Sequence, residues 1–261
     1  MAVGPHRTSH TGSSEAVENY AKAIYLLQHG SDDRTVQTNE LAERLDVTPA
    51  SASGMCRKLA DLGIVEHVLY KGVTLTPAGE RLALEVVRHH RLLELYLAEQ
   101  LDVPWDRVHE EADALEHVLS EDLEARIAAK LGDPTHDPHG DPIPDANLVI
   151  DENDSTRSLA DLQPGDSGRF VRISDSDPEM LRYLAERGAQ LGDQLEITER
   201  QPFGGPLAVR FGDAVQFLGG GLAAAMRVEP APAATPPSAQ APRAARRRAT
   251  PESRRRGLSR S

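Results

Sequence analysis

Apolar residues recur at intervals of three and four along the first half of the chain and at intervals of two near its end. Val17, Tyr20, Ile24 and Leu27 follow the helical spacing and predict a helix over residues 14–29, capped by Ser13 or Ser14. After a polar loop, GSDDR, Leu41, Ala42 and Leu45 mark a short helix over 38–45. Asp46 and Val47 read as a turn. Thr48 and Pro49 then start a second helix, with the threonine as cap and the proline where its missing N–H costs nothing. That helix is expected to run to Leu62 and stop at Gly63, burying Met55, Leu59 and Leu62. Two short β runs, IVEHV and VTLTP, flank LYKG as a hairpin. Thr76 and Pro77 open a helix over about 78–101 that carries Leu82, Val86, Leu92, Leu95 and Tyr96. Further helices are expected over about 104–119 and from a Ser120 cap to Gly132. Beyond a polar linker near 151–156 the character changes. LADLQPGDSGRFVRI, DQLEITERQPF, LAVRF and AMRV are short strands between Gly and Pro turns, with one helical piece, DPEMLRYLAERG, among them. This is the pattern of a small SH3-type β-barrel.

A helix-turn-helix followed by a hairpin is the winged form of a DNA-reading module. Its second helix opens on Ala50, Ser51, Ala52, Ser53 and Gly54, small residues that let a helix N-terminus approach phosphate closely. With the Thr48 cap, Arg57 and Lys58 one turn on, and Lys71 at the wing tip, these are the candidate DNA contacts. The alternative is a winged helix used for protein contact.

Composition adds three constraints. No apolar run reaches the ~18 residues needed to span a bilayer, so no membrane partner is expected. The single cysteine, Cys56, excludes an internal disulfide framework or a multi-cysteine metal site. With the lack of an apolar leader at the start, it fits a reducing cytoplasm. The net charge of −12 is also unevenly distributed. Eight of the 29 Lys and Arg lie from Pro230 onward with one acid, Glu252, leaving 21 basic and 40 acidic residues in the body. An acidic body favours cations. The Pro/Ala/Arg-rich tail lacks the apolar residues to fold and reads as disordered. It either solubilises the chain or touches phosphate or acidic surfaces.

RVHEEADALEHVLS, over 107–120, concentrates His109, Asp113, Glu116 and His117. On a helix at about 100° per residue, these four share a sector roughly 100° wide beside the apolar stripe of Val108, Ala112, Leu115 and Leu119. The preceding helix contributes His90 and Glu94 at an i, i+4 spacing. Antiparallel packing would bring His90 and Glu94 to His109, and turn Asp113, Glu116 and His117 toward the first helix near Asn19. Six imidazoles and carboxylates in this arrangement read as a metal site rather than a solvated face. With no thiolate or thioether, the donor set suits Mn²⁺ or Fe²⁺ better than Cu(I) or a cysteine-type zinc site. His136 and His139 read as turn or packing residues. The chain has no HExxH and no Glu-x-x-His, so an enzyme, including a Mn-dependent metalloenzyme, lacks its motif. No organic small-molecule substrate is indicated.

A winged helix, then HRLLE, VHEEADALEH and HGDPIP, then an SH3-like end resembles the diphtheria-toxin-repressor family of metal-activated bacterial repressors, over about residues 14–228. The resemblance implies a mainly α protein with small β. Its parts would be a flexible arm at 1–12, a winged helix-turn-helix at 13–85, a helical metal-binding and dimerisation domain at 86–150, a linker at 151–156, an SH3-like (FeoA-like) barrel at 157–229 and the tail at 230–261. It places an ancillary site on His90, Glu94 and His109, completed by Asp177 and Glu179 of DSDPE. It places a primary site on Asn19, Asp113, Glu116 and His117. The iron branch has Cys at the Asp113 position and Met at the Asn19 position, whereas the manganese branch has a carboxylate at the first. The chain is therefore similar to the manganese-responsive repressors, with Fe²⁺ as the alternative ion. Lys22 stands where some members carry Glu, which argues against two closely spaced ions. The function implied is a dimer that reads a palindromic DNA operator and represses metal-uptake genes. Without metal, its carboxylates are expected to repel one another and leave the DNA-reading domains loosely oriented. A metal-independent adaptor with the same fold is the remaining rival.

Overall fold

Three short helices and a hairpin form the N-terminal module. α1 (Glu15–His29) buries Val17, Tyr20, Ala21 and Ile24. α2 (Thr38–Arg44) and α3 (Pro49–Asp61) are the helix-turn-helix, joined through Asp46 in the left-handed region. Thr48 caps α3, its hydroxyl accepting from the Ser51 N–H at 3.2 Å. α3 buries Ala52, Cys56 and Leu59. Leu62, expected inside, is exposed because it lies past the last helical turn as the C-cap. β1 (Val65–Val68) and β2 (Gly72–Leu75) pair antiparallel. The wing is anchored by Val36 and Val73, which exchange two backbone hydrogen bonds of 2.9 Å. Gly72 permits this contact: its φ is +123°, and a Cβ there would lie 2.0 Å from the Val36 carbonyl oxygen.

The computed structural model describes residues 14–29, 35–68, 71–150, 155–174 and 176–231. The expected arm, the GSDDR loop, most of the linker and the Arg-rich tail from 232 lie outside the described residues. Among the described residues, no helix is long and apolar enough to cross a membrane.

α4 (Pro77–Leu101) is the spine. At 1.5 Å per residue its 25 residues span about 37 Å. Thr76 caps it, and Leu82, Ala83, Leu84 and Val87 complete the N-terminal core. Further along, Leu92, Leu93 and Leu95 form a second core with Ala112, Ile127, Ala128 and Ile143. One unbroken rod thus joins the DNA-reading module to the region of candidate ligands.

The helix expected over 104–119 is shorter than its periodicity suggests: α5 covers Val108–Leu115. Residues 116–118 turn, and Ser120 then caps α6 (Glu121–Lys130). A second helix start so soon after Leu115 forces the break, and the break re-aims Glu116 and His117. Leu115, expected in the buried stripe, is exposed along with Val118 and Leu123, whereas Val108 and Ala112 are fully buried.

The C-terminal part is a six-stranded antiparallel sheet in the order β3-β8-β4-β5-β6-β7. Its strands are β3 (Arg157–Ser158), β4 (Ser167–Ile173), β5 (Gln194–Arg200), β6 (Leu207–Phe211), β7 (Ala214–Leu218) and β8 (Met226–Pro230). α7 (Pro178–Glu186) follows β4, and α8 (Gly220–Ala225) precedes β8. Phe170, Ile173, Leu181, Leu184 and Ile197 fill its core. This part meets the helical region where the Ile173 N–H donates to the His139 carbonyl at 2.9 Å and Arg182 pairs with Asp106.

Candidate metal centre

α1, α4, α5 and the connection from α2 to α3 line a cleft of about 730 Å³, and Glu116 and His117 lie behind its lining. His90 is its hub. Its Nδ1 lies 2.6 Å from Glu116 Oε2, and its Nε2 lies 3.0 Å from His109 Nδ1 and 3.1 Å from Glu94 Oε1. His109 also faces Glu94 Oε1 at 3.2 Å and Asp113 Oδ2 at 3.4 Å. His90, Glu94 and His109 therefore come together as the antiparallel packing requires. Asp113 and Glu116 join them through His90, so the two expected clusters are continuous rather than separate.

His117 points the other way, to α1. Its Nδ1 donates to Glu18 Oε2 at 2.6 Å, and its Nε2 lies 2.9 Å from Asn19 Oδ1 and 3.4 Å from Glu116 Oε1. Glu116 Oε1 is buried and has no hydrogen-bond partner. His117 Nε2, Asn19 Oδ1 and Glu116 Oε1 thus face one another. One imidazole nitrogen and two oxygens are atoms that can ligate a cation, and the set contains no sulfur.

Lys22 was expected only as a non-ligand. Its ammonium donates to Asp113 Oδ1 at 2.9 Å and to Glu116 Oε2 at 2.7 Å. The picture of metal-free carboxylates repelling one another is corrected accordingly, since a resident cation already draws two of them together. The effect shows in their acidity. Burial raises the Asp113 and Glu116 pKa values, but the His90 hydrogen bond and the Lys22 charge outweigh it and hold both below the ordinary carboxylate range. Burial and Lys22 oppose a proton on His90, yet Asp113, Glu116 and Glu94 raise its pKa well above the usual imidazole value.

A second group lies deeper. Glu94, Asp137 and His139 are all buried and bring one potential ligand atom each within 4.8 Å of one another. His139 Nε2 donates to the Trp105 carbonyl at 2.8 Å, while its Nδ1 and Glu94 Oε2 are buried without partners. At 3.8 Å, His139 Nδ1 and Glu94 Oε1 are too far apart to hydrogen-bond. Asp137 Oδ1 accepts from the N–H groups of His139 and Asp141. Burial, with the charges of Asp141 and Glu94, pushes the Asp137 carboxyl up to about 8. His139 does make the expected turn, but it also belongs to a possible ligand set.

The C-terminal residues fall differently from expectation. Asp177 caps α7 by accepting from the Glu179 N–H at 2.9 Å. Neither Asp177 nor Glu179 is among the described residues lining the cleft, to which Ser176 contributes instead. The DNA-facing candidates are on the surface: Thr48, Ala50, Ser51, Arg57, Lys58 and Lys71 are exposed and Ser53 is half-buried. The Thr48 hydroxyl also donates to Ser51 Oγ at 3.0 Å, so part of this polarity serves the cap.

Three family models cover the chain in order. Residues 13–73 match the iron-dependent-repressor N-terminal DNA-binding domain, 76–145 its metal-binding and dimerisation domain, and 157–230 the FeoA domain. The diphtheria toxin repressor of Corynebacterium efficiens is 30% identical over 224 residues, covering 82% of this chain and 95% of that protein. The chain belongs to the diphtheria-toxin-repressor family. Within this family of repressors, which are not enzymes, the iron-dependent repressor IdeR of Mycobacterium bovis is 36% identical over 184 residues, 62% of this chain and 79% of that one. A solved manganese-dependent transcriptional repressor in complex with manganese superposes with a TM-score of 0.76 at 45% identity, covering 81% of this chain and 98% of that chain. ScaR with bound Zn²⁺ superposes at 0.69 with 26% identity, covering 82% of this chain and 98% of that chain. The repressor function and its three-part architecture therefore follow from the family, with a winged helix, a helical metal-binding domain and an SH3-like end.

The sequence reading missed Glu18, Asp137 and His139. Glu18 shares a helix face with Lys22 at the i, i+4 offset, a signal that was present. Asp137 and His139 sit in a loop whose Pro/Asp/Gly chemistry reads as turn. Only tertiary packing brings them to Glu94.

Proposed function

We propose that this protein is a manganese-activated repressor that binds a palindromic operator as a homodimer in the cytoplasm and controls metal-uptake genes. The observation that carries the choice of metal is the donor set at the junction of α1 with the α5–α6 turn. Asn19, Asp113, Glu116 and His117 offer oxygen and imidazole nitrogen alone. Hard oxygen donors favour Mn²⁺ where a thiolate or thioether would favour softer ions. The buried, unpartnered Glu116 Oε1 supports a cation there. The 45% identity to a manganese-dependent repressor supports the same reading. His90, Glu94 and His109, or Glu94 with Asp137 and His139, would hold an ancillary ion.

When bound, a divalent ion supplies one positive centre shared by donors on α1 and on the turn after α5. The chain's own residues do the rest. Glu18 fixes the ring of His117, leaving Nε2 to face Asn19. α4 carries the orientation of this junction into the core beneath the wing. Two recognition helices must lie about 34 Å apart to enter successive major grooves of a palindrome. Lys22 already holds α1 to Asp113 and Glu116, and an ion held by Asn19, Glu116 and His117 would tighten that junction and shift the population further toward the state with that spacing. The exposed Leu115, Val118 and Leu123 supply apolar surface for a second copy.

The test is operator binding at one stated salt concentration, under anaerobic conditions, with Mn²⁺ and Fe²⁺ titrated separately. Mn²⁺ is expected to stimulate binding, and the double substitution Asp113→Ala with His117→Ala to abolish the stimulation. Stimulation by Fe²⁺ alone would reassign the metal. Equal binding after chelation would remove metal control altogether.

A further inference from the structure

Lys22 is set among groups that otherwise gather a metal. Its ammonium lies 2.9 Å from Asp113 Oδ1, 2.7 Å from Glu116 Oε2 and 2.9 Å from His90 Nδ1. Two carboxylate oxygens and an imidazole nitrogen are a divalent cation's surroundings, filled here by a side chain of the protein. Glu116 divides its two oxygens: Oε2 faces the ammonium, while the buried Oε1 has no hydrogen-bond partner and faces His117 Nε2. Lys22 and Asn19 stand on the same helix, three residues apart. The ammonium is thus held at a fixed offset from the donors facing Oε1.

Charge points the same way. Glu18, Asp113 and Glu116 carry three negative charges around this junction, and Lys22 reduces them to two, the charge that one divalent ion balances. A carboxylate at position 22 would raise the total to four, the charge of two such ions. Glu94 faces the opposite nitrogen of the His90 ring, Nε2, at 3.1 Å and lies outside this count.

We infer that Lys22 is a tethered second cation: it holds one oxygen each of Asp113 and Glu116, so that this site admits a single divalent ion and stays assembled without one. The inference rests on the reading of the site as a divalent-metal centre, and it sets the number of ions and the cohesion of the metal-free protein.

The experiment uses the full chain, stripped by chelator and loaded with Mn²⁺ alone. Bound manganese is counted by elemental analysis, and low-temperature electron paramagnetic resonance reports whether two ions share a carboxylate. Lys22→Glu is expected to bind one more ion per chain than wild type and to show an exchange-coupled spectrum that wild type lacks. Lys22→Met tests cohesion without metal: its metal-free form should melt several degrees below metal-free wild type, and Lys22→Arg should restore most of the loss. A coupled pair in wild type would overturn the inference, since Lys22 would then have been displaced. So would an unchanged melting point in metal-free Lys22→Met, or an unchanged ion count in a folded Lys22→Glu. Failure of wild type itself to bind Mn²⁺ would be a different result, bringing down the reading of the metal centre and this inference with it.

Discussion

Glu18 makes a sharp test of how the α1 junction works, because it touches a candidate ligand without being one. Its carboxylate accepts from His117 Nδ1 at 2.6 Å. Charge-assisted hydrogen bonds of this kind contribute about 1.5–3 kcal/mol. Outer partners of metal-bound imidazoles typically change affinity by about 10–100-fold when removed. The two figures agree, since about 1.4 kcal/mol is tenfold in an equilibrium constant. Glu18→Gln keeps an oxygen that can accept the same N–H and loses only the charge, so Mn²⁺ affinity should fall about tenfold. Glu18→Ala also frees the ring to rotate, and the loss should approach a hundredfold. Competition against a fluorescent chelator measures both, and the concentration of Mn²⁺ at half-maximal operator binding should move by the same factors. Wild-type affinity in Glu18→Ala would refute the positioning role. Equal, very large losses in both variants would also refute it, because they would make Glu18 a direct ligand.

Three further outcomes are expected. Replacing Arg57 and Lys58 together by alanine should lower the log–log salt slope of operator binding by about 0.9 for each phosphate no longer neutralised, measured by fluorescence anisotropy; an unchanged slope would move the DNA-binding surface elsewhere. Gly72→Ala should destabilise the wing and abolish operator binding while leaving Mn²⁺ affinity intact, since its Cβ would strike the Val36 carbonyl and none of the candidate ligands; retention of wild-type operator affinity would contradict the anchoring of the wing at Val36. Glu124→Gln should cost roughly 3 kcal/mol at neutral pH by breaking the largely buried pair with Arg88, and the cost should shrink in acid. Burial raises the Glu124 pKa, but the bonds from His89 and Arg88 hold it below its ordinary 4.5. Its stabilising effect is therefore full above that value and is lost as the pH falls through the lowered one. Denaturant midpoints of the two proteins that fail to converge on acidification would contradict this.

Much of the fold was legible because its signals are local. Thr48 and Thr76 cap helices with Pro at the next position, and both caps form as the sequence implies. The end of α5 was harder to place. Helical periodicity continues through Leu119, so only competition from the Ser120 cap explains why the chain turns after Leu115. β7 was not anticipated because Val215 and Phe217 face outward on the edge strand, where no buried alternation marks them. In the candidate site, His90, Glu94 and His109 could be paired from helical offsets. The links from Lys22 to Glu116 and from Glu94 to His139 depend on how distant segments pack, and nothing in the local pattern carries that information.

α4 has no Pro or Gly between Glu80 and Leu101, so it offers no natural joint. Its register is therefore a phase relation. A change of side chain along it alters one local surface, whereas one residue added between Val87 and His90 would turn everything beyond by about 100°. The helix behaves as a keyed shaft, tolerant of new surfaces and intolerant of new length.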